Sequence, residues 1–175
     1  MSQVFTPASK ATIPYDKPSM FLGGSIEMGK AYPWQEYAIE LFQKEDFVIL
    51  NPRRPDWNNT WTQSAGDPQF NHQVNWELDG IDRADCVVMF FDENTMSPIS
   101  MMELGYLAGK VHMGDLNKTV VHCRDSFWRK GNVDIISGRN HIQVFDYVDA
   151  RLFWEEAKNI MLRNHDRRTN PGNIW

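Results

Sequence analysis

The sequence predicts an α/β fold in which a doubly wound, flavodoxin-like sheet of five parallel strands carries helices on both faces. Short, unbroken apolar runs, typical of strands buried on both faces, recur along the 175 residues. Segments with apolar residues at helical spacing stand between these runs, and the alternation favours parallel βαβ units. The chain is also long enough for one domain with a sizeable core.

The predicted strands are residues 19–24 (SMFLGG), 47–50 (FVIL), 86–91 (CVVMFF), 119–123 (TVVHC) and 141–145 (HIQVF). Ligands of doubly wound sheets bind outside the carboxyl ends of the strands. The loops at those ends therefore form the predicted site. They contain GGS at 23–25, NPRR at 51–54, FDENTMSP at 91–98 and the residues after Cys123.

Four predicted helices connect or follow the strands, at residues 33–44, 70–84, 97–111 and 148–164. Proline is acceptable in the first turn of a helix, where Pro33 and Pro98 stand, and Ser97 suits the N-cap of the third helix. The polar stretch between the second strand and the second helix is a long loop, and such loops are usually functional.

We predict an N-terminal arm at residues 1–18, a single α/β domain at residues 19–165 and a C-terminal tail at residues 166–175. The arm is polar and contains proline, and it has no apolar signal core. The tail ends in Trp175, which packs either on its own domain or on a neighbouring subunit.

Composition narrows the possible partners. Eighteen basic and 23 acidic residues give a net charge of −5, and binding to a nucleic-acid polymer depends on clustered cations. A nucleic-acid polymer is therefore not expected as a partner, whereas the charge balance does not exclude a single nucleotide. No apolar run approaches the roughly 20 residues of a membrane span. Because Cys86 and Cys123 both lie in apolar runs, we expect buried, reduced thiols and a soluble cytoplasmic protein.

Two glutamates stand where helical spacing places apolar residues. Glu77 shares its helix face with an apolar stripe of Val74, Leu78 and Ile81. Glu103 lies on a helix that is otherwise nearly uncharged. Burying a carboxylate is costly unless it is paired or hydrogen-bonded, so both residues are candidates for function. The alternative is a solvated carboxylate at the edge of each stripe.

A second motif, GSIEMGK at residues 24–30, has the spacing of a phosphate-binding P-loop. However, Ala31 stands where that motif needs Ser or Thr to bind Mg²⁺. ATP binding is therefore the less favoured alternative.

The five histidines show no metal-ligand spacing, so no metal or other cofactor is expected. Four tryptophans lie in or near the loops of the predicted site. They form either a stacking wall for a planar base or a hydrophobic lid. These residues are Trp57, Trp61, Trp76 and Trp128.

Four segments of the chain carry motifs in a fixed order: FLGGSIEMGKAYPWQ, VILNPRRPDW, QVNWELDGIDRADCVVMFF and SPISMMELG. Together they resemble the nucleoside 2-deoxyribosyltransferase superfamily, most closely its branch with an NPRR loop. The likeness runs from about residue 20 to residue 145. The superfamily contains both transferases and hydrolases. The resemblance also implies an active site shared between subunits of a homo-oligomer, a dimer or larger.

The resemblance assigns the central roles. The glutamate of the MELG-type motif is the family's nucleophile, here Glu103. In relatives, an acidic residue seven positions before the Ala of an Ala-Asp pair lies near the reacting base and sugar. Its counterpart here is Glu77, whereas relatives commonly have Asp at this position. The glycine-rich turn that lines the sugar pocket corresponds to Gly23, Gly24 and Ser25.

Further positions follow from the same likeness. A base-reading Gln of some relatives falls near Arg53, and we include its neighbours Asn51 and Arg54 in the substrate site. Ser97 matches a residue that contacts phosphate or a sugar hydroxyl in relatives. The proton for the leaving base comes from Glu77, from Asp79 or from solvent.

An asparagine from a neighbouring subunit completes the site of relatives. Its likeliest counterpart is Asn140, and Asn132 is the rival.

Three functions remain open at this stage. The first is transfer of a deoxyribosyl group between bases through a covalent ester on Glu103. The second is hydrolysis of a nucleoside or its 5′-monophosphate, with Arg53, Arg54 and Ser97 holding the phosphate. The third, from another class, is a nucleotide-binding sensor without turnover.

Overall fold

The computed structural model of the chain describes residues 1–27, 30–54, 61–146 and 150–172. In these residues a parallel sheet of six strands has the order β1-β3-β2-β4-β5-β6. The strands are β1 (Gln3–Phe5), β2 (Ser19–Gly24), β3 (Val48–Leu50), β4 (Cys86–Phe91), β5 (Thr119–Cys123) and β6 (Gln143–Phe145).

Helices cover both faces of this sheet, which confirms the doubly wound, flavodoxin-like α/β prediction. They are α1 (Trp34–Phe42), α2 (Pro68–Arg83), α3 (Pro98–His112), α4 (Lys130–Arg139) and α5 (Arg151–Thr169). One hydrophobic core lies between the sheet and helices α2, α3 and α4. A second core lies on the opposite face, beneath α1 and α5. Because both faces are covered, the central strands are apolar without alternation.

The carboxyl ends of β2 and β4 approach each other very closely. Gly24 pairs with Phe90 in the β2–β4 register and has a φ of 135°. A Cβ atom at Gly24 would lie 2.2 Å from the backbone oxygen of Phe90. Only glycine fits this position, and the close approach brings the loops after β2 and β4 together.

The sheet has one strand more than predicted. β1 lies inside the segment predicted as an N-terminal arm and pairs with β3 at the sheet edge, with Gln3 opposite Val48. β1 is only three residues long and only its Phe5 is buried, so the sequence shows no apolar run by which this strand could be predicted.

Two helices also differ from the prediction. α4 is not among the four predicted helices, because its glycines and β-branched residues have low helix propensity. α5 extends to Thr169, four residues into the predicted tail that starts at residue 166. Trp175 lies outside the described residues.

No helix in the described ranges combines the length and the apolar character that crossing a membrane requires.

A buried carboxylate fastens α5 to the amino edge of the sheet. Asp85 is 4% exposed and accepts hydrogen bonds from the backbone N and Oγ of Ser19, at 3.0 and 2.9 Å. It also accepts from Nε and Nη2 of Arg168, at 2.8 and 3.0 Å. Asp85 therefore joins β2, the start of β4 and the last turns of α5.

We expect Asp85→Asn to lower the free energy of unfolding by about 1–2 kcal/mol, since the amide loses the charge-assisted bonds. Urea denaturation measures the change. Asp46→Asn is the matched control, because Asp46 forms an exposed ion pair with Lys17 at 2.6 Å and such pairs contribute little. Equal effects of the two substitutions would contradict this role for Asp85.

Candidate active site

The two predicted carboxylates lie on helices that are in direct contact. Tyr106 of α3 donates a hydrogen bond to Asp82 of α2 at 2.9 Å, and Lys110 pairs with the same carboxylate at 2.8 Å. Both helices run from the carboxyl edge of the sheet to its amino edge. Glu77 and Glu103 stand about one turn before these contacts, so both lie towards the carboxyl edge.

The protonation of these two groups is coupled. Burial and, as a smaller cause, the negative charge of Glu77 together raise the pKa of Glu103 from 4.5 to about 8. Burial also raises the pKa of Glu77, although a hydrogen bond from Gln73 opposes that shift. Two such carboxylates resist simultaneous ionisation, so the pair retains a proton near neutral pH.

Gln73 connects Glu77 to the loop after β3. Its Nε2 donates to Oε1 of Glu77 at 2.7 Å and to the backbone oxygen of Pro52 at 3.1 Å. The side chain is 3% exposed. Sequence reasoning missed this residue, and its position four residues before Glu77 was the only signal for it.

The NPRR loop is shaped by its own side chains. Asn51 is buried, and its Oδ1 accepts a hydrogen bond from the backbone N of Arg53 at 3.0 Å. Nη1 of Arg53 is buried and has no hydrogen-bond partner among the described residues. The guanidinium of Arg54 lies over the ring of Trp61, 5.1 Å from its centroid.

Three buried hydroxyl groups meet where β2 and β4 end. Oγ of Ser25 lies 2.5 Å from Oγ of Ser97 and accepts a hydrogen bond from Oγ1 of Thr95 at 2.8 Å. It also accepts from the backbone N of Asp92 at 2.9 Å. Sequence reasoning identified Ser25 and Ser97 but missed Thr95, which no motif marks.

Ser97 holds the predicted N-cap position of α3 but does not cap the helix with its side chain. Its φ is 46°, in the left-handed region, and its hydroxyl makes no cap hydrogen bond. The hydroxyl instead turns towards Ser25 and Thr95. The contacts of Ser97 are therefore across the sheet edge, not along its own helix.

The two candidate asparagines lie at opposite ends of α4. Asn132 is in the first turn, exposed, towards the carboxyl edge of the sheet. Asn140 follows the last turn at the amino edge, is 8% exposed and donates to the backbone oxygen of Ile136 at 2.8 Å. The chain does not bring Asn140 to its own carboxylate pair.

The remaining predicted residues have varied surroundings. Gly23 faces Met89, and a Cβ atom added there would lie 2.9 Å from the Met89 sulfur. Asp79 is exposed on α2. Trp76 packs on Phe21 with ring centroids 6.2 Å apart. Trp57 lies outside the described residues.

The P-loop alternative gains no support from the described part of the motif. Lys30 lies 3.8 Å from Glu27, and α1 begins only at Trp34. Gly29 lies outside the described residues. In the ranges that the structure covers, no group of three or more His, Cys, Asp or Glu side chains is placed to hold a metal ion.

A parallel sheet with a carboxylate pair and buried hydroxyls at its carboxyl edge is typical of a small-molecule enzyme site. The chain belongs to the family described as nucleoside 2-deoxyribosyltransferase like, whose model matches residues 17–127. This range contains Glu77, Glu103 and Ser97, and it confirms the resemblance stated above.

Among solved structures, the chain is similar to the solution structure of BlsM, with a TM-score of 0.53 and 17% sequence identity. The match covers 93% of this chain and 100% of that chain. At this identity the likeness supports the fold alone. None of the curated proteins matches the chain.

Proposed function

We propose that the protein is a nucleoside 2-deoxyribosyltransferase that uses Glu103 as its nucleophile and Glu77 as its proton donor. The observation that carries this proposal is the coupled pair of carboxylates with raised pKa values, in a chain of this family. Raised pKa values on converging acids are typical of catalytic sites.

The first half-reaction replaces one bond at the anomeric carbon with another. The carboxylate pair holds one proton near neutral pH, and the reaction starts from the form in which Glu77 carries this proton and Glu103 is ionised. A carboxylate oxygen of Glu103 then bonds to C1′ as the bond from C1′ to the base nitrogen breaks. The bonding electrons leave with the base, and the proton held by Glu77 neutralises it. A glycosyl ester of Glu103 and a free base result.

The second half-reaction runs in reverse with a different base. The nitrogen of the incoming base attacks C1′, and the ester bond breaks to restore the Glu103 carboxylate. The incoming base gives its proton to Glu77. A 2-deoxy sugar suits this path, since it lacks the electron-withdrawing hydroxyl that would oppose the oxocarbenium-like transition state.

The residues around the pair have supporting roles in this proposal. Gly23, Gly24 and the Ser25–Thr95–Ser97 hydroxyls line the sugar end of the site. Asn51, Arg53 and Arg54 form the wall beyond Glu77, and Gln73 holds Glu77 towards that wall.

We further propose that the site is completed by a second copy of the chain, through Asn140 or Asn132. Large apolar side chains lie exposed on the helices beside the site, with Ile99 58%, Met102 66% and Ile135 67% exposed. Burial of this surface between two copies would exclude water and favour transfer over hydrolysis.

The free, buried Cys86 and Cys123 agree with a reducing cytoplasm.

A second candidate function is hydrolysis of a nucleoside 5′-monophosphate. The unpartnered, buried Nη1 of Arg53 favours it, because an orphaned guanidinium nitrogen is suited to an anionic oxygen. A sensor without turnover is less favoured, since it has no need of two costly carboxylates.

Incubation with a deoxynucleoside and a different free base tests the proposal. We expect an exchanged nucleoside in the products, separated by chromatography. Free base released without an acceptor, and faster from the monophosphate, would instead support the hydrolase. Tight nucleotide binding without either an exchanged nucleoside or free base would support the sensor without turnover.

A further inference from the structure

The side-chain amide of Gln73 is fixed in one orientation. Its Nε2 donates to two oxygens, Oε1 of Glu77 at 2.7 Å and the backbone oxygen of Pro52 at 3.1 Å. A backbone oxygen can only accept, so exchanging the amide nitrogen and oxygen would place two acceptors about 3.1 Å apart. The amide keeps this orientation although its own Oε1 is buried without a partner among the described residues. Pro52 therefore holds the N–H of Gln73 towards Glu77.

The two carboxylates of the pair differ in their hydrogen-bond donors. A neighbour that donates a hydrogen bond stabilises the ionised form of a carboxylate, and Gln73 is such a neighbour for Glu77. In the part of the chain that the structure describes, no group donates to the carboxylate of Glu103. Gln73 is 3% exposed, so water competes little for its bond to Glu77. Negative charge is therefore more stable on Glu77 than on Glu103.

The other charges near the pair do not reverse this preference. Asp82 and Lys110, further along α2 and α3, neutralise each other in an ion pair at 2.8 Å. The pKa of Glu77 is shifted by burial and by Gln73, and that of Glu103 by burial and by Glu77. The charged and titratable groups on the surrounding elements are Arg53 and Arg54 after β3, His72, Asp79 and Asp82 on α2, and Tyr106 and Lys110 on α3.

We propose that Gln73 is a positioning residue that keeps the shared proton of the carboxylate pair on Glu103 in the free protein. This inference rests on the proposed function, in which the proton has to lie on Glu77 before Glu103 can form the ester. The shift breaks the O–H bond of Glu103 and forms one on Glu77 through solvent water, and the total charge of the pair does not change. Gln73 thus keeps the nucleophile neutral and unreactive in the free protein.

Carboxyl ¹³C NMR of the free protein, titrated with pH, tests this placement. In the native chain we expect Glu77 to ionise first and Glu103 to keep its proton to a higher pH. Gln73→Met keeps the approximate size of the side chain and removes the donor. In this variant Glu77 should ionise at a higher pH than in the native chain, and Glu103 should begin to ionise at a lower pH. The signals are assigned with Glu77→Gln and Glu103→Gln.

Two further variants separate proton placement from packing. Lysine is about as long as glutamine and can only donate, so Gln73→Lys should return the ionisation of Glu77 to the native pH or below it. Gln69 is exposed on the same helix, so Gln69→Met should titrate as the native chain does. A role of Gln73 in packing alone would give the same titration in Gln73→Met and Gln73→Lys.

The pH profile of base exchange gives a second measurement. When both carboxylates are protonated there is no ionised nucleophile, so the rate falls at low pH. Because Gln73→Met makes Glu77 easier to protonate, we expect the acid limb of its kcat/KM profile to move to a higher pH and to return in Gln73→Lys. A structural defect would instead lower kcat/KM equally at every pH.

Unchanged ionisation of Glu77 in Gln73→Met would overturn the proposal. So would a native chain in which Glu103 ionises before Glu77, a result that needs no Gln73 variant to fold. Because the titration contains no substrate, its outcome is distinct from that of the exchange assay. The expected order of ionisation in a protein without base exchange would contradict the proposed function and leave the proton placement intact.

Discussion

Replacement of Glu103 by glutamine is expected to reduce base exchange on the order of 10⁴-fold or more, the scale seen when a covalent nucleophile is removed. Glutamine has nearly the size and shape of glutamate, but its amide cannot form the glycosyl ester. Single-turnover chromatography measures the rate. Mass spectrometry of the intact protein should show the sugar adduct on the native chain and not on the variant.

Two further variants belong to this experiment: Glu77→Gln as a second test and Glu40→Gln as the control. Glu77→Gln removes the proposed proton donor and should lower the rate about 10²-fold, the usual scale for general acid catalysis. Glu40 is exposed on α1, so Glu40→Gln should exchange bases at the native rate. Undiminished exchange by Glu103→Gln would exclude Glu103 as the nucleophile.

The parts of the fold that follow from local pattern were predictable. The bounds of β2, β4 and β5 agree with the predicted strands because each strand is built on a short apolar run that turn or polar residues delimit. β1 was missed because its place in the sheet depends on pairing with Val48, 45 residues further along the chain. No local pattern carries such a contact.

The residues of the candidate site also divide into those that local pattern predicts and those that only distant contacts reveal. Glu77 and Glu103 were found because a charged residue in an apolar helical stripe is unusual. Gln73 and Thr95 were missed because polar residues are common in helices and loops. Their importance lies in contacts across the fold, such as that of Thr95 with Ser25, 70 residues away.

The raised pKa of Glu103 has a second consequence, for stability. Its pKa in the folded protein, about 8, lies above the ordinary value of 4.5, so the folded state binds this proton more tightly. The stability that this proton provides is fully present below pH 4.5 and is lost as the pH rises through 8. Glu103→Gln has no proton to lose.

We therefore expect Glu103→Gln to raise the free energy of unfolding by about 2–4 kcal/mol at pH 8.5 and by much less at pH 5. The upper limit is reduced because the side chain is partly exposed. Urea denaturation at the two pH values measures the difference, with Glu40→Gln as the control. A variant that is less stable than the native chain at pH 8.5 would show that Glu103 is held as a satisfied structural carboxylate. A gain at high pH alone, together with lost exchange, would mean that the fold tolerates an unfavourable charge at the position where the proposed chemistry needs it.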